Sequence, residues 1–306
     1  MAIGPAATRN GDSGDSVARY VDEILDCYEE LAGFKELKPC SKVDKIFERL
    51  VGLCSQCPGE ETVSMILSDP RIVAITPRLR ELCSEGEYQL ETQWAEKICR
   101  CKTHEEAKEM LLAFPYHSNY IDLVRMELNA LASVKPNFAP RTFAMIGSGP
   151  LPLTPLCISD ELKSQNYGCI TCHNVDLNAQ AMEHSINMCR ALGRAAGTMC
   201  FHCADASSDD VDLRTFDVVY LAALVGGCSS HKQSILANMI KRMSPGTLVV
   251  LRSAHSLRRL LYPVVEVTED MAAIGLKVLL VVHPYHHVIN SVVIAVVVEI
   301  PCAFRT

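Results

Sequence analysis

Residue types suited to holding a nucleotide-like ligand recur at regular intervals through the second half of this 306-residue chain. The segment Thr142 to Thr154 reads TFAMIGSGPLPLT, an apolar run that stops at Gly147-Ser148-Gly149-Pro150 before a stretch with helical potential. A buried strand, a glycine turn and a helix put backbone N–H groups where such a ligand can come close. The Gly-x-Gly-Pro pattern lacks a third glycine in dinucleotide spacing, so a βα turn without ligand also fits it. The next apolar run ends in Asp176, whose carboxylate can accept both hydroxyls of a ribose. Another ends in Ala204-Asp205-Ala206, where an acid can receive an amino group of adenine. A fourth ends in Leu221 to Gly226, small apolar residues that, with Leu224, suit an aromatic base or a thioether chain. Any one of these acids could be a helix N-cap. Glycines followed by acids at successive strand ends compose a more specific constellation, which points to an adenosine.

The elements that must position these residues follow two rhythms. From residue 16 to 134 the pattern is helical. Val17, Tyr20, Val21, Ile24, Leu25, Tyr28 and Leu31 share one face, with Asp15 or Ser16 as N-cap. A short helix fits residues 43–53. Pro70 and Pro77 punctuate the next region, and Leu79, Leu82, Cys83, Leu90, Trp94 and Ile98 then mark a long helix loosened at Gly86. Helices over 104–114 and 119–133 complete a bundle. Residues 1–15 have no apolar core and read as a disordered tail rather than a secretory signal. A linker with two prolines, residues 135–141, leads into apolar runs at 142–146, 169–175, 199–203, 217–222 and 247–252. Helical segments such as 178–192 and 232–243 lie between them. This alternation predicts a parallel sheet with helices on both faces. The last two runs, 276–283 and 289–299, are too close for a crossover and predict an antiparallel hairpin. The expected fold is α/β: a Rossmann-like, class I methyltransferase-like seven-stranded sheet over 135–306, preceded by a helical domain over 16–134. In such a sheet the ligand lies beyond the carboxyl ends of the strands. A nicotinamide dinucleotide also carries a ribose for Asp176, but the terminal hairpin favours S-adenosylmethionine.

Composition narrows the partners. Acidic residues number 36 against 29 basic ones, a net charge of −7. No block of five Lys or Arg occurs, which argues against a nucleic-acid surface. The apolar runs are too short to span a bilayer, so a cytoplasmic protein is expected. Three of the cysteine spacings are Cys-x-x-Cys: Cys54/Cys57, Cys169/Cys172 and Cys200/Cys203. Two of these pairs fall in expected strands, where residues three apart point to opposite faces. With no second pair at zinc spacing, the 15 cysteines read as reduced core thiols. His283, His286 and His287 flank the hairpin turn, where exposed histidine is common.

Several longer segments, in order, resemble the nicotianamine synthases. They are Ile146-Gly-Ser-Gly-Pro-Leu-Pro-Leu-Thr154, Tyr220-Leu-Ala-Ala-Leu-Val-Gly226, Leu251-Arg-Ser-Ala-His-Ser-Leu-Arg258 and Ile289-Asn-Ser-Val-Val-Ile-Ala295. Phe114-Pro-Tyr-His-Ser-Asn-Tyr120, Leu37-Lys-Pro39 and Leu82-Cys83 extend the likeness through the helical half. His117 departs from it, since plant members have a second tyrosine there, and residues 296–306 do not match.

The resemblance implies condensation of three S-adenosylmethionine molecules into nicotianamine, with release of three methylthioadenosines and closure of an azetidine ring. S-adenosylmethionine is then the substrate, with no separate cofactor and no metal. A sulfonium activates all three attached carbons, so the position of the nucleophile selects the one that reacts. The attacking α-amine is mostly protonated at neutral pH and needs a proton acceptor. The resemblance points to Glu91 for this role, with Glu87 one turn earlier as the alternative. It points to Tyr116 as a hydrogen-bond partner of the same amine. Arg252 follows the fifth parallel strand and faces the same crevice, where it can hold a substrate carboxylate; Tyr262 lines the pocket or simply packs, and Tyr120 is a further candidate beside the substrate. The competing readings are an S-adenosylmethionine-dependent methyltransferase, which needs no helical half bearing Glu91 and Tyr116, and a non-catalytic adenosine-binding module.

Overall fold

The computed structural model describes residues 10–165, 168–194 and 198–299. Six helices precede the first strand: α1 (Asn10–Ala32), α2 (Ser41–Ser55), α3 (Glu60–Ser68), α4 (Pro70–Cys99), α5 (His104–Leu112) and α6 (His117–Val134). Helix α1 starts ahead of the anticipated cap at Asp15 or Ser16, so the end of the expected 1–15 tail is helical. Its first residues, Asn-Gly-Asp-Ser-Gly-Asp, contain nothing apolar for a periodicity to register. Residues 1–9 of that expected tail lie outside the described residues. Helix α3 was not anticipated either. It buries only Ile66, which leaves no repeating stripe.

Helix α4 corrects two expectations. Asp69 caps it by accepting from the Arg71 amide, and Pro70 occupies the first turn, where no N–H is needed. Pro77 lies inside the helix instead of ending it. The one bond it forfeits is to the carbonyl of Val73, a residue 56% exposed, where water can replace it. Nor is α4 loosened at Gly86, which is buried in an unbroken helix. A Cβ there would come within 2.4 Å of the Phe47 ring, so the glycine makes room for α2.

The strands are β1 (Thr142–Ile146), β2 (Thr171–Asp176), β3 (Met199–Cys203), β4 (Val218–Leu221), β5 (Leu248–Ser253), β6 (Leu276–Val282) and β7 (Ser291–Val297). They form one seven-stranded sheet in the order β3-β2-β1-β4-β5-β7-β6. The first five strands are parallel. β7 inserts antiparallel between β5 and β6, as expected of a terminal hairpin in a class I methyltransferase-like sheet. The strand order reverses between β1 and β4, which opens the crevice where ligands of open α/β sheets bind. Helices α7 (Leu153–Ser164), α8 (Ala179–Ala191) and α9 (Ser229–Ile240) flank the sheet.

Three apolar cores hold these layers together. One face of the sheet, through Phe143, Met145 and Tyr220, packs with Leu156 of α7 and Met188 of α8. The same core takes in Ile98 of α4, Leu111 of α5, and Leu123, Val124 and Leu131 of α6. The opposite face packs against Ile235, Leu236 and Met239 of α9. Helices α1 to α3 and the first part of α4 form a third core with Leu257 and Leu260, from the 3₁₀ turn Ser256–Leu260. The expected boundary at 134/135 therefore falls between segments that share a core. Helices α4 and α6 are fixed to the sheet by buried apolar surface, which is what makes their side chains part of the crevice.

Candidate active site

A cavity of about 390 Å³ lies beyond the carboxyl ends of the parallel strands. Strand ends contribute Gly147 to Pro150, Asp176, Asp205, Ala206, Leu224 and Arg252; α4 contributes Glu87 and Glu91, and α6 contributes Tyr120. Tyr262 and Asn290 complete the wall used below. Twelve of the thirteen residues anticipated for the site thus meet in one pocket: Glu87, Glu91, Tyr120, Gly147, Ser148, Gly149, Asp176, Asp205, Ala206, Leu224, Arg252 and Tyr262. Tyr116 does not line it. Its side chain packs edge-on against Phe114 and the residue is 37% exposed. It stands at the N-cap of α6, and the inward position comes one turn later, at Tyr120.

The glycine turn makes its space for protein atoms. Gly147 and Gly149 both adopt positive φ, +78° and +67°. A Cβ at Gly149 would stand 2.8 Å from Glu91 Oε2, and one at Gly147 would stand 2.3 Å from Val225 Cγ2. The first glycine admits the loop after β4, and the second admits the carboxylate of α4. Asp176 fastens this turn. Its Oδ2 accepts from the Gly149 amide at 2.9 Å, and its Oδ1 accepts from the Asn178 amide at 2.9 Å. The cap of α8 is Asn178, which accepts from the amides of Gln180 and Ala181. Asp205 shapes the third strand end by accepting from the Ser207 amide at 2.7 Å.

Two carboxyls from α4, one helical turn apart, line this pocket. Tyr120 donates its hydroxyl to Glu91 Oε1 at 3.3 Å, and Tyr262 donates to Glu87 Oε2 at 3.2 Å. Burial pushes Glu91 well above the ordinary glutamate range, and the neighbouring Glu87 charge pushes it further. The Tyr120 hydrogen bond and the Arg252 charge oppose that rise without cancelling it. Burial also raises Glu87, against Tyr262 and Arg252. A cation entering between these acids stabilises their ionised forms and turns them into proton acceptors.

Two buried charges escaped the sequence reading. Glu127 of α6 holds Arg252 in a bidentate pair, at 2.8 Å to Nε and 3.1 Å to Nη2. Both side chains are out of solvent, at 0% and 5% exposure. Arg252 therefore already holds a carboxylate, and the donors left to meet a substrate are the two N–H groups of Nη1 and the second N–H of Nη2. The signal was present in sequence: Glu127 interrupts the buried stripe of Leu123, Val124, Ala130 and Leu131. The second is Lys232 of α9, whose Nζ donates to the carbonyls of Ala222, Ala223 and Arg252 at 2.7, 2.7 and 3.1 Å. These contacts tie the ends of β4 and β5 together, and burial, followed by the Arg252 charge, lowers the Lys232 pKa to about 7.

The metal-like clusters have other partners. His287 bonds Asp122 of α6 at 2.8 Å. His283 bonds Ser291 at 2.9 Å and stacks on His255. Among the described residues no group of three His, Cys, Asp or Glu is placed to hold a metal. β2 begins at Thr171, so Cys169 lies before the strand expected to contain it.

A sequence model described as nicotianamine synthase protein matches residues 13–300. Probable nicotianamine synthase 4 of Arabidopsis thaliana is 36% identical over 278 residues, covering 90% of this chain and 82% of that one. Nicotianamine synthase 9 of Hordeum vulgare is 35% identical over 275 residues, covering 90% and 78%. In fold, the chain is similar to the crystal structure of MtNAS in complex with MTA and tNA. That match has a TM-score of 0.73, 22% identity and coverage of 96% and 100%. A mutant of MtNAS gives a TM-score of 0.74 at 23% identity, covering 92% and 98%.

Two stability measurements test this wiring. Glu127→Ala strands the Arg252 charge and lowers the free energy of unfolding in urea by about 3–5 kcal/mol. Lys232→Met leaves three carbonyls without their donor and costs about 1–3 kcal/mol. The raised carboxyl gives a pH signature with a definite sign. The stability tied to neutral Glu91 is full below the ordinary glutamate value of 4.5 and is lost as pH rises through the elevated one. Glu91→Gln abolishes that loss, so the stability of wild type relative to the variant should fall as pH rises.

Proposed function

The chain belongs to the nicotianamine synthase family, and from that premise we propose how its pocket condenses three S-adenosylmethionine molecules into nicotianamine. The observation that carries the reading is the Glu91 carboxyl of α4 held against the glycine turn, with Glu87 one turn earlier in the same pocket. Gly147, Ser148 and Gly149 hold the donor, Asp176 its ribose, Asp205 and Ala206 its adenine edge, and Leu224 its apolar surface. The aminobutyrate arm then leaves the turn directly beside Glu91, because Gly149 presents no side chain there. A second aminobutyrate unit offers its α-ammonium between Glu91, Glu87 and Tyr120. Entry of these cations into a space closed by α4 and α6 brings the Glu91 carboxyl down to its ionised form.

Glu91 takes a proton from the ammonium. The freed nitrogen lone pair attacks the donor carbon γ to the carboxylate. The carbon–sulfur bond breaks and its electrons stay on sulfur, which departs as the neutral thioether of methylthioadenosine. The azetidine closes by the same displacement when a unit's own nitrogen is the nearest nucleophile. Each step balances with S-adenosylmethionine alone, since the sulfonium supplies the electrophile. Glu87, hydrogen-bonded to Tyr262, holds the amine of the acceptor while Glu91 moves the proton. The free thiols of all 14 described cysteines accord with work in a reducing cytosol.

Incubation of the purified protein with S-adenosylmethionine alone should yield methylthioadenosine and a three-unit product by mass spectrometry. S-adenosylhomocysteine as the sole nucleoside product would instead identify a methyltransferase. Glu91→Gln should lower kcat by about 10²–10⁴-fold, the usual contribution of a positioned base. Tyr120→Phe should impair turnover, while Tyr116→Phe, altered outside the pocket, should stay within about twofold of wild type on the scale of changes that remove no interaction with the reacting atoms.

A further inference from the structure

Two residues that line the cavity carry a buried polar atom with no partner among the described residues: Oγ of Ser148, in the glycine turn, and Nδ2 of Asn290. A buried donor without an acceptor is costly, and folds rarely keep one for stability. Asn290 immediately precedes β7, and the antiparallel register pairs Ser291 with Ser253 and Val292 with Arg252. The amide is therefore set beside the end of β5, where Arg252 enters the same cavity. Glu127 takes Nε–H and one N–H of Nη2 of Arg252, which fixes the plane of the guanidinium and leaves the edge formed by Nη1 and the second N–H of Nη2. The acids Glu87 and Glu91 with their tyrosines line the same cavity, and the Arg252 guanidinium lies 5.8 Å from the ring centroid of Tyr120, the tyrosine that donates to Glu91. The pocket thus offers donors and carboxyls beside one another. That arrangement is complementary to an α-amino acid, with its carboxylate on the donors and its ammonium on the acids.

We infer that Asn290 Nδ2 and Arg252 Nη1 form the carboxylate subsite for the aminobutyrate unit whose amine attacks, with Glu127 as the positioning residue. The inference rests on the nicotianamine synthase reading and adds to it the group that orients the acceptor. The donor's nucleoside is assigned to the ends of β1 to β4, whereas Asn290 and Arg252 lie at the β5–β7 end. The subsite therefore reads the acceptor separately from the donor. An amide is suited to the task because it binds a carboxylate without adding positive charge to a pocket that must take a sulfonium.

Calorimetric titration tests it, with nicotianamine, which carries carboxylates, set against methylthioadenosine, which has none. Asn290→Ala should weaken nicotianamine by about 10- to 100-fold, the range for a lost hydrogen bond to a charged group. Methylthioadenosine should stay within about twofold, since its contacts are untouched. In turnover the same variant should raise KM for S-adenosylmethionine and slow product formation. Asn290→Asp, which sets one carboxylate against another, should be worse, and Asn290→Ser, which keeps a donor, should recover part of the loss. Equal weakening of both ligands, or of neither, in an active wild-type background would overturn the subsite alone. A wild-type protein that neither releases methylthioadenosine nor binds nicotianamine would overturn the functional reading on which the subsite rests.

Discussion

The close approach of Glu91 to Gly149 is the constraint on which the site depends. A carboxylate oxygen of α4 occupies the region that a side chain at position 149 would need. The contact joins the two parts of the chain with different chemical duties, the sheet that carries strand-end ligand groups and the helices that carry acids. Other features serve to maintain it. Asp176 holds the Gly149 amide, Tyr120 holds the other oxygen of Glu91, and the core shared by α4, α6 and the sheet fixes the distance between them. Lys232 keeps the ends of β4 and β5 in register beneath the same cavity. If Glu91 acts as proposed, loss of any of these would move a proton acceptor relative to a reacting carbon, and an ångström there is enough to alter rates about 100-fold.

The electrostatics follow from the charge of the substrate. Both the donor sulfonium and the acceptor ammonium are cations, and in the proposed reading both must enter the pocket that Glu87 and Glu91 line. Carboxyls raised by burial are suited to that state. While the cavity holds no cation they lean toward the neutral form and avoid the cost of two buried charges one turn apart. In the proposed chemistry the arriving cations reverse the balance and turn a weak acceptor into a competent base, which makes substrate binding and base activation one electrostatic event.

Much of the sheet and of its ligand groups was legible in sequence because both rest on local rules. Apolar runs ending in glycine or acid gave β1 to β4 and the residues at their ends, and the short gap before the last run gave the antiparallel β7. What local rules could not register includes contacts with partners distant in sequence. The glycine turn is legible, but not that α4 brings Glu91 against Gly149. Arg252 is legible at a strand end, but not that Glu127, 125 residues away, is bound to it. Tyr116 and Tyr120 lie in one motif, and only the axis of α6 distinguishes the residue facing out from the residue facing in. Pro77 reads as a helix end, yet it costs one bond near a solvent-exposed stretch and the packing of α4 outweighs it.

The Glu127–Arg252 pair explains how one pocket can serve a cation and a carboxylate together. A bare guanidinium at the end of β5 would repel the sulfonium. With Glu127 bound in bidentate fashion the pair is formally neutral, so its long-range field is small, while Nη1 still offers a directed donor at hydrogen-bond range. Burial makes that donor stronger, because no water competes for it. Asn290 extends the same logic with a neutral amide. The wall therefore recognises a carboxylate by direction instead of by net charge, which leaves Glu87 and Glu91 to set the field that the substrate cations experience. On a sheet whose strand ends are shared with methyl transfer, such a division lets the helical half choose which carbon of the sulfonium meets a nucleophile.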